Sequence, residues 1–300
     1  MRSTVSALVR YLLYGLLMGG ADIIPGVSGG TMALIVGIYE RLVGAISSAV
    51  SWGLALIRWD LDSMRRHWAA IPWRLVLPLA VGIGCAIAVG ARVLPPLMSA
   101  YPEQMRGLFL GLVGASLLIP VLRMERVTGP YIVIGLVCGI AAFYLTGLPV
   151  LNVDDPGRLR VFLSAAVAIC AMILPGVSGA FLLKVFGIYT PTLSALNSGD
   201  WTYVLVFILG AGVGLGAFAK LLDWLLTYRH DATMAALVGL IAGALRALWP
   251  YMDADRAVRF PDAADPVVSV VLLTIAGFAA VAGLLWWSRH RATTTTASTG

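Results

Sequence analysis

The stretch that decides the fold is Ile23–Ser48, IIPGVSGGTMALIVGIYERLVGAISS, because it occurs twice. It aligns without gaps on Ile173–Ser198, ILPGVSGAFLLKVFGIYTPTLSALNS, with PGVSG and GIY identical in both copies. A second match continues at another offset. Trp73, Val76, Leu77, Gly82, Gly84, Arg92 and Leu94 correspond to Trp201, Val204, Leu205, Gly210, Gly212, Lys220 and Leu222. Each PGVSG lies in the middle of a hydrophobic region, 5–50 and 160–198, and breaks it into halves too short or too interrupted to be two clean membrane spans. Proline and glycine at that depth need backbone groups satisfied by protein or by a water-filled cavity.

Composition sets the medium. The 300 residues are 60% hydrophobic and 12% charged, with a mean hydropathy of +0.91. Soluble domains carry about a quarter charged residues, so this is a membrane protein without a large soluble domain. The net charge of +6 comes from arginines in short loops, a positive-inside pattern and not a nucleic-acid surface. Cys85, Cys138 and Cys170 stand singly, and His67, His230 and His290 lie in Arg-rich loops without CxxC, HxxxH or HExxH spacing. That excludes a disulfide framework and a zinc site. Arg2 and Arg10 precede an apolar run, but no small-residue cleavage site follows, so the N-terminus is read as mature protein.

Apolar runs bounded by charge predict spans near 75–95, 106–122, 129–147, 203–226, 232–249 and 266–287. The fold class expected is an all-α polytopic membrane protein of about six full spans plus two re-entrant or broken hairpins that carry PGVSG. The polar tail 291–300 is read as disordered. Arg58, Arg65, Arg66, Arg74, Arg123, Arg126, Arg229, Arg289 and Arg291 mark the cytoplasmic side, while Glu103, Asp154, Asp155, Asp200, Asp253, Asp255, Asp262 and Asp265 dominate the opposite loops. Both termini are then cytoplasmic. Trp52, Trp59, Trp68 and Trp73, interleaved with arginines over 52–74, predict a helix lying among headgroups. One broken element plus three spans separates equivalent points of the copies, and three is odd, so the repeats are inverted. Residues 1–147 form one and 148–290 the other, in a single membrane domain over 1–290. Two short complete spans in place of each hairpin leave that parity unchanged. Inverted repeats with interrupted helices mark secondary transporters, with the site at the repeat interface.

A glycine-rich turn opening a helix presents unpaired N–H groups to an anion. Gly26, Ser28, Gly29, Gly30 and Thr31 in one copy, and Gly176, Ser178 and Gly179 in the other, fit that chemistry; a bent hairpin that merely packs tightly is the alternative. Lys184 and Lys220 are the chain's lysines. Lys184 replaces Leu34 of the other copy and Asp22 replaces Met172, so one copy bears an acid and the other a base. Lys184 is a candidate phosphate partner, and Asp22 a candidate for proton or sodium coupling; an Asp22–Lys184 pair, or Asp22 capping a helix end, is the structural alternative. Glu40 and Arg41 read as a cytoplasmic gate or an ion pair. Arg92 and Lys220 stand at matching positions near opposite faces, to meet a headgroup or to snorkel. Lys220 and Asp223, three apart, read as a local salt bridge. Tyr39 and Tyr189 read as helix-end anchors, and the glycines of 82–84 and 210–216 as packing stripes.

At GGADIIPGVSGGTMALIVGIYERL the chain resembles the bacterial polyprenyl-phosphate transporters, and the resemblance covers roughly 8–287. It implies return of undecaprenyl phosphate from the outer to the cytoplasmic leaflet of the bacterial plasma membrane for envelope synthesis, by inverted re-entrant helices and alternating access. The matching positions are Asp22, Pro25, Gly26, Ser28, Gly29, Gly30, Thr31, Glu40 and Arg41, with Pro175, Gly176, Ser178, Gly179 and Lys184. No cofactor is expected beyond coupling to a proton or sodium gradient. The partners are the lipid and its membrane, with no nucleic acid, and the oligomeric state is open. Undecaprenyl-pyrophosphate phosphatases share inverted repeats and a Pro-Gly-x-Ser motif, but there an Arg follows the Ser. Gly29 and Gly179 stand in that place here, which removes the charge a phosphoryl transition state needs. A small-anion carrier is the other rival.

Overall fold

A motif that reads PGVSG(x)7GIY must end a short helix as well as open one, and the GIY glycine is what ends it. Gly37 has φ 77° and Gly187 φ 73°. Gly37 N donates to Leu34 O at 3.1 Å and Ile38 N to Ala33 O at 2.9 Å; in the second copy Gly187 N donates to Lys184 O at 3.0 Å and Ile188 N to Leu183 O at 2.9 Å. This is a left-handed helix C-cap that only glycine adopts without steric cost. The following isoleucines, Ile38 and Ile188, are buried, and the chain turns sharply into the next helix, by 99° in the second copy.

The computed structural model describes residues 2–23, 28–151, 153–174, 178–253 and 257–297. Its helices are α1 (Arg2–Ile23), α2 (Gly29–Ile35), α3 (Tyr39–Ile57), α4 (Leu61–Ala70), α5 (Trp73–Ala100), α6 (Pro102–Ser116), α7 (Leu118–Arg123), α8 (Gly129–Thr146), α9 (Arg158–Ile173), α10 (Gly179–Val185), α11 (Tyr189–Ser198), α12 (Trp201–Tyr228), α13 (His230–Ala244) and α14 (Val267–Ala297), with a 3₁₀ turn at Leu245–Leu248. Among the described residues the sole β feature is an isolated bridge between Met252 and Val258. Among the described residues, six helices or helix pairs are long and apolar enough to span a membrane: Tyr39–Ile57, Trp73–Gly90, Pro102–Arg123, Gly129–Thr146, Trp201–Tyr228 and His230–Leu248. Five of these match predicted spans. Tyr39–Ile57 is a full-length helix that starts inside the region 5–50 read as broken and runs into the stretch 52–74 read as one headgroup helix, of which α4 keeps Leu61–Ala70, whereas in the second copy the corresponding α11 stops at Ser198, where Gly199 takes φ 73°. The predicted span at 266–287 appears as the apolar segment Val267–Gly283, and α14 runs on to Ala297.

The chain divides into two compact units, Met1–Arg92 with Leu148–Thr233, and Val93–Gly147 with Met234–Gly300. In the first, helices meet backbone to backbone at glycines. A side chain on Gly82 would overlap the Leu12 carbonyl, and one on Gly210 would overlap the Phe162 carbonyl. Leu12 and Phe162 stand 150 residues apart, like Ile23 and Ile173; Gly82 and Gly210 stand 128 apart, like Trp73 and Trp201. The two sequence offsets therefore return the same helix contact twice. Such approaches gain dispersion and Cα–H···O contacts, which hold helices together where lipid removes the hydrophobic drive. α4 is capped by Asp60, whose carboxylate accepts from Ser63 N at 3.0 Å, and Trp68 stacks with Trp52 at 5.3 Å and Trp73 at 4.4 Å.

The second unit repeats the device beyond the stretch that sequence alignment found. A side chain on Gly111 of α6 would overlap the Thr274 carbonyl of α14, with Phe278 N at 2.9 Å; one on Gly239 of α13 would overlap the Gly135 carbonyl of α8, with Gly139 N at 2.9 Å. Gly111 and Gly239 are again 128 apart. The 251–265 connection of this unit is held by Arg259, which donates to both oxygens of Asp265 at 2.6 and 2.9 Å and to Asp262 at 3.2 Å. The Arg259 guanidinium, helped by the Asp262 N–H, holds the Asp265 carboxyl down to about 2.

Two outcomes follow from these contacts. Gly37→Ala and Gly187→Ala should each lower unfolding stability in detergent by about 1–2 kcal/mol, the left-handed penalty of a Cβ, to which at Gly187 a Cβ contact with Val153 at 2.7 Å adds; unchanged thermal unfolding in both variants would contradict the cap. A depressed Asp265 stabilises above the ordinary carboxylate value near 4 and ceases to do so as pH falls towards 2. Amide protection over 257–265, with exchange corrected for its intrinsic pH dependence, should therefore be equal at pH 5 and 7 and fall below about pH 4.

Candidate functional site

α1 carries Asp22 on its last turn, and the chain resumes as described structure at Ser28, the N-cap of α2. The leading N–H groups of a helix have no intrahelical acceptor, and those of Gly29, Gly30 and Thr31 find acceptors locally. Asp22 Oδ1 accepts from Gly29 N at 2.7 Å, Ser28 Oγ from Gly30 N at 3.1 Å, and Ser28 O from Thr31 N at 2.9 Å. The Ser28 hydroxyl proton goes to the other copy: Oγ donates to Met172 O at 3.1 Å, with Leu174 O at 3.4 Å. The motif's glycines make this fit. A Cβ on Gly29 would stand 2.7 Å from the Asp22 carboxylate, and one on Gly30 2.6 Å from Ile173 O at the end of α9. Ser28 and Thr31 are buried. The carboxylate of Asp22 thus occupies the place where the sequence predicts an anionic ligand, and the capping alternative describes its contact.

The second copy is built alike and left emptier. Ser178 caps α10, but its Oγ accepts from Phe181 N only at 3.4 Å, and it is half-buried. Met172 stands where the first copy has Asp22, and its side chain packs on Gly179, where a Cβ would also meet Ala168 O at 2.6 Å. Among the described residues no protein acceptor meets the N–H of Gly179 or Ala180. Gly26 and Gly176 lie outside the described residues.

The remaining predicted residues sit elsewhere. Lys184 is on the last turn of α10, about 9 Å along the axis from Ser178. Its Nζ lies 4.8 Å over the Tyr189 ring, and among the described residues it pairs neither with Asp22 nor with Ser28. Glu40 and Arg41 face different neighbours: Arg41 donates to Tyr11 OH at 3.1 Å and Glu40 meets His230 at 3.8 Å, while His230 also lies 3.6 Å from Asp231. Arg92 and Lys220 are exposed. The expected Lys220–Asp223 salt bridge is absent among the described residues, and the Asp223 carboxylate faces Gly44 of α3, 3.8 Å from where a Cβ would stand. Tyr39 is not an interfacial anchor; it is buried, and among the described residues its hydroxyl has no partner. Sequence reasoning missed the α9 carbonyls, Tyr11 and His230. The carbonyls have no residue-type signal at all, and the other two are single polar side chains whose partners lie far along the chain.

Chemically, the first tip is a set of backbone donors met by an internal carboxylate, and in the second, among the described residues, Gly179 N and Ala180 N meet no such group. Among the described residues neither brings an arginine or histidine to the motif. A recess of about 560 Å³ in the same unit is lined by Asp154, Asp155, Asp200, Ser194 and Tyr203; its carboxylates disfavour an anion there.

A family model described as undecaprenyl phosphate translocase-like matches residues 18–263. A polyprenyl-phosphate transporter of Vibrio cholerae is 34% identical over 250 residues, 83% of this chain and 80% of that protein. Another polyprenyl-phosphate transporter, from Staphylococcus aureus, is 27% identical over 268 residues, 83% of this chain and 89% of the relative. No solved structure matches the chain.

The two serines should differ in worth. Ser28→Ala removes a cap and the bond to α9 together and should cost about 2 kcal/mol, while Ser178→Ala, which loses one long bond, should cost about 0.5 kcal/mol. Equal shifts in thermal unfolding of the two variants would contradict the geometry.

Proposed function

We propose that this chain, which belongs to the undecaprenyl phosphate translocase-like family, carries undecaprenyl phosphate from the outer to the cytoplasmic leaflet of the bacterial inner membrane by alternating access. Its family and relatives are transporters and not enzymes, so the chemistry required is shelter for a phosphate in hydrocarbon. An unscreened anion there is prohibitively costly. The headgroup sits between the two PGVSG tips, with the polyprenyl tail left in lipid through a lateral opening.

The observation that carries this reading is the Asp22 carboxylate on the Gly29 N–H at 2.7 Å. Carboxylate and phosphate compete for the same donor, so the lipid headgroup enters when a proton neutralises Asp22 and releases the N–H. One proton then travels with each phosphate and lowers the net charge moved. A proton suits this site better than sodium, because among the described residues no second acid side chain joins Asp22. Ser28, Gly29, Gly30 and Thr31, with Ser178 and Gly179, supply donors. Lys184 swings from Tyr189 to the headgroup during the cycle, Arg92 and Lys220 receive lipid at the two faces, and the Arg41–Tyr11 and Glu40–His230 contacts close the cytoplasmic side.

Alternating access rests on repeats 1–147 and 148–290 being inverted. The pairing of glycines supports this. α6 runs parallel to α14 and α8 parallel to α13, as the ascending contacts Gly107–Val270, Gly111–Thr274, Gly135–Ala235 and Gly139–Gly239 require. Consecutive spans α6 and α8 traverse a bilayer in opposite directions, so α13 opposes α6, its equivalent 128 residues earlier. With arginine-rich turns in the cytoplasm, both termini face inward.

The test is leaflet exchange of labelled polyprenyl phosphate in proteoliposomes holding the purified chain. Exchange should accelerate as the outside is acidified. Asp22→Asn, a permanently neutral side chain, should lose the pH dependence beyond that of the phosphate's own ionisation near pH 6, and Ser28→Ala should be at least tenfold slower, about 1.4 kcal/mol in the barrier. An unchanged pH slope in Asp22→Asn would overturn the coupling, and uptake of inorganic phosphate in place of lipid would assign the chain to small anions.

A further inference from the structure

The second unit holds a groove of about 710 Å³ that the transport site does not use, lined almost wholly by apolar groups. Its floor is Gly135, Gly139, Gly239 and Gly243, the glycines at which α8 and α13 touch. Leu136, Ile140 and Tyr144 are exposed on its α8 wall, and Ala242 on its α13 wall. From Tyr131 to Tyr144 the α8 wall alone covers about 20 Å at 1.5 Å per residue, longer than the roughly 15 Å of one hydrocarbon leaflet. The acyl chain of an ordinary phospholipid is confined to one leaflet; a groove of this length suits a single longer chain.

A charge stands beside one end of the groove. Arg246 donates from Nη1 to Phe143 O at 3.1 Å and lies 4.7 Å over the Phe143 ring, itself part of the lining. Gly147 lacks a side chain where the guanidinium crosses it. Among the described residues the buried Nε of Arg246 has no partner and Nη1 alone donates, so the Nε–Nη2 edge of the fork stays unused. An unpaired donor beside an apolar trough calls for an acceptor that arrives with a chain, and a guanidinium edge matches a phosphoryl group. α8 follows the Arg123 and Arg126 turn and α13 follows Arg229, so Arg246 stands at the far, outer-leaflet end.

We infer that the α8–α13 groove with Arg246 is a reception site for a long-chain lipid monophosphate in the outer leaflet, the tail along the glycine floor and the phosphate on the guanidinium edge. The inference rests on the carrier reading for which lipid is held, and it adds a second site separate from the PGVSG tips.

The test uses the full chain in phosphatidylcholine nanodiscs with polyprenyl phosphate that carries a diazirine in its chain. The same-length polyprenol and a diazirine phosphatidylglycerol serve as comparison probes. Polyprenyl phosphate should label peptides within 131–144 and 235–243. Arg246→Gln should raise half-saturation about tenfold, as loss of a charged hydrogen bond does, and Ala242→Trp, which fills the trough from its exposed wall, should cut labelling several-fold. Both variants must keep the wild-type unfolding temperature within a few degrees, and either alone suffices as the probe. Equal labelling by polyprenol, or by phosphatidylglycerol, or indifference to both substitutions overturns the inference. Leaflet exchange without groove labelling overturns it and leaves the carrier reading standing. Arg246-dependent labelling without exchange does the reverse.

Discussion

Hydrocarbon offers no hydrogen bonds, so a chain that breaks its helices within a membrane must answer every exposed N–H and C=O itself. That constraint governs the first PGVSG tip. Asp22, Ser28 and the Ser28 carbonyl take the three leading N–H groups of α2, while the Ser28 hydroxyl covers carbonyls at the end of α9. The glycines follow from this arrangement, because a Cβ at Gly29 or Gly30 would push away the carboxylate or the α9 carbonyl that completes it. The two sequence copies thereby become one piece: the cap of one is bonded to the stem of the other.

The same absence of water explains how the helices are held. With lipid as apolar as leucine, burial alone does not bind helix to helix, and close packing at small residues does. Gly82 on Leu12, Gly210 on Phe162, Gly111 on Thr274 and Gly239 on Gly135 are four instances of one contact, placed by two sequence offsets. Side chains around them have diverged freely, since a backbone contact constrains only the glycine.

Much of this is legible in the sequence. Hydropathy and arginine placement locate five of the six spans and miss Tyr39–Ile57, which the break at PGVSG masks, and the identical PGVSG and GIY elements mark the interrupted helices, because glycine and proline leave a trace in composition wherever backbone geometry is unusual. The extent of the duplication was less visible. Gly111 and Gly239 correspond, but their neighbours share too little to align. Partners were less visible still. Asp22 read equally as coupling group, ion-pair partner or cap, since a carboxylate seven residues before a glycine says nothing of which N–H it meets. Lys184, a base opposite an acid in the paired copy, suggested a salt bridge, but α10 turns it towards Tyr189. Ser28 bonds to main-chain oxygens of Met172 and Leu174, atoms every residue possesses, and no sequence pattern singles those out.

The replacement of Asp22 by Met172 in the second copy has an energetic consequence. Two identical inverted halves would give a carrier whose inward- and outward-facing forms are mirror partners of equal energy, populated equally at rest. A carboxylate that caps one tip and has no counterpart at the other removes that degeneracy. On the inverted reading, the empty protein has a preferred resting face, and the ratio of its two forms becomes a function of how often Asp22 is charged. The duplication supplied the symmetry, and one side chain biases it.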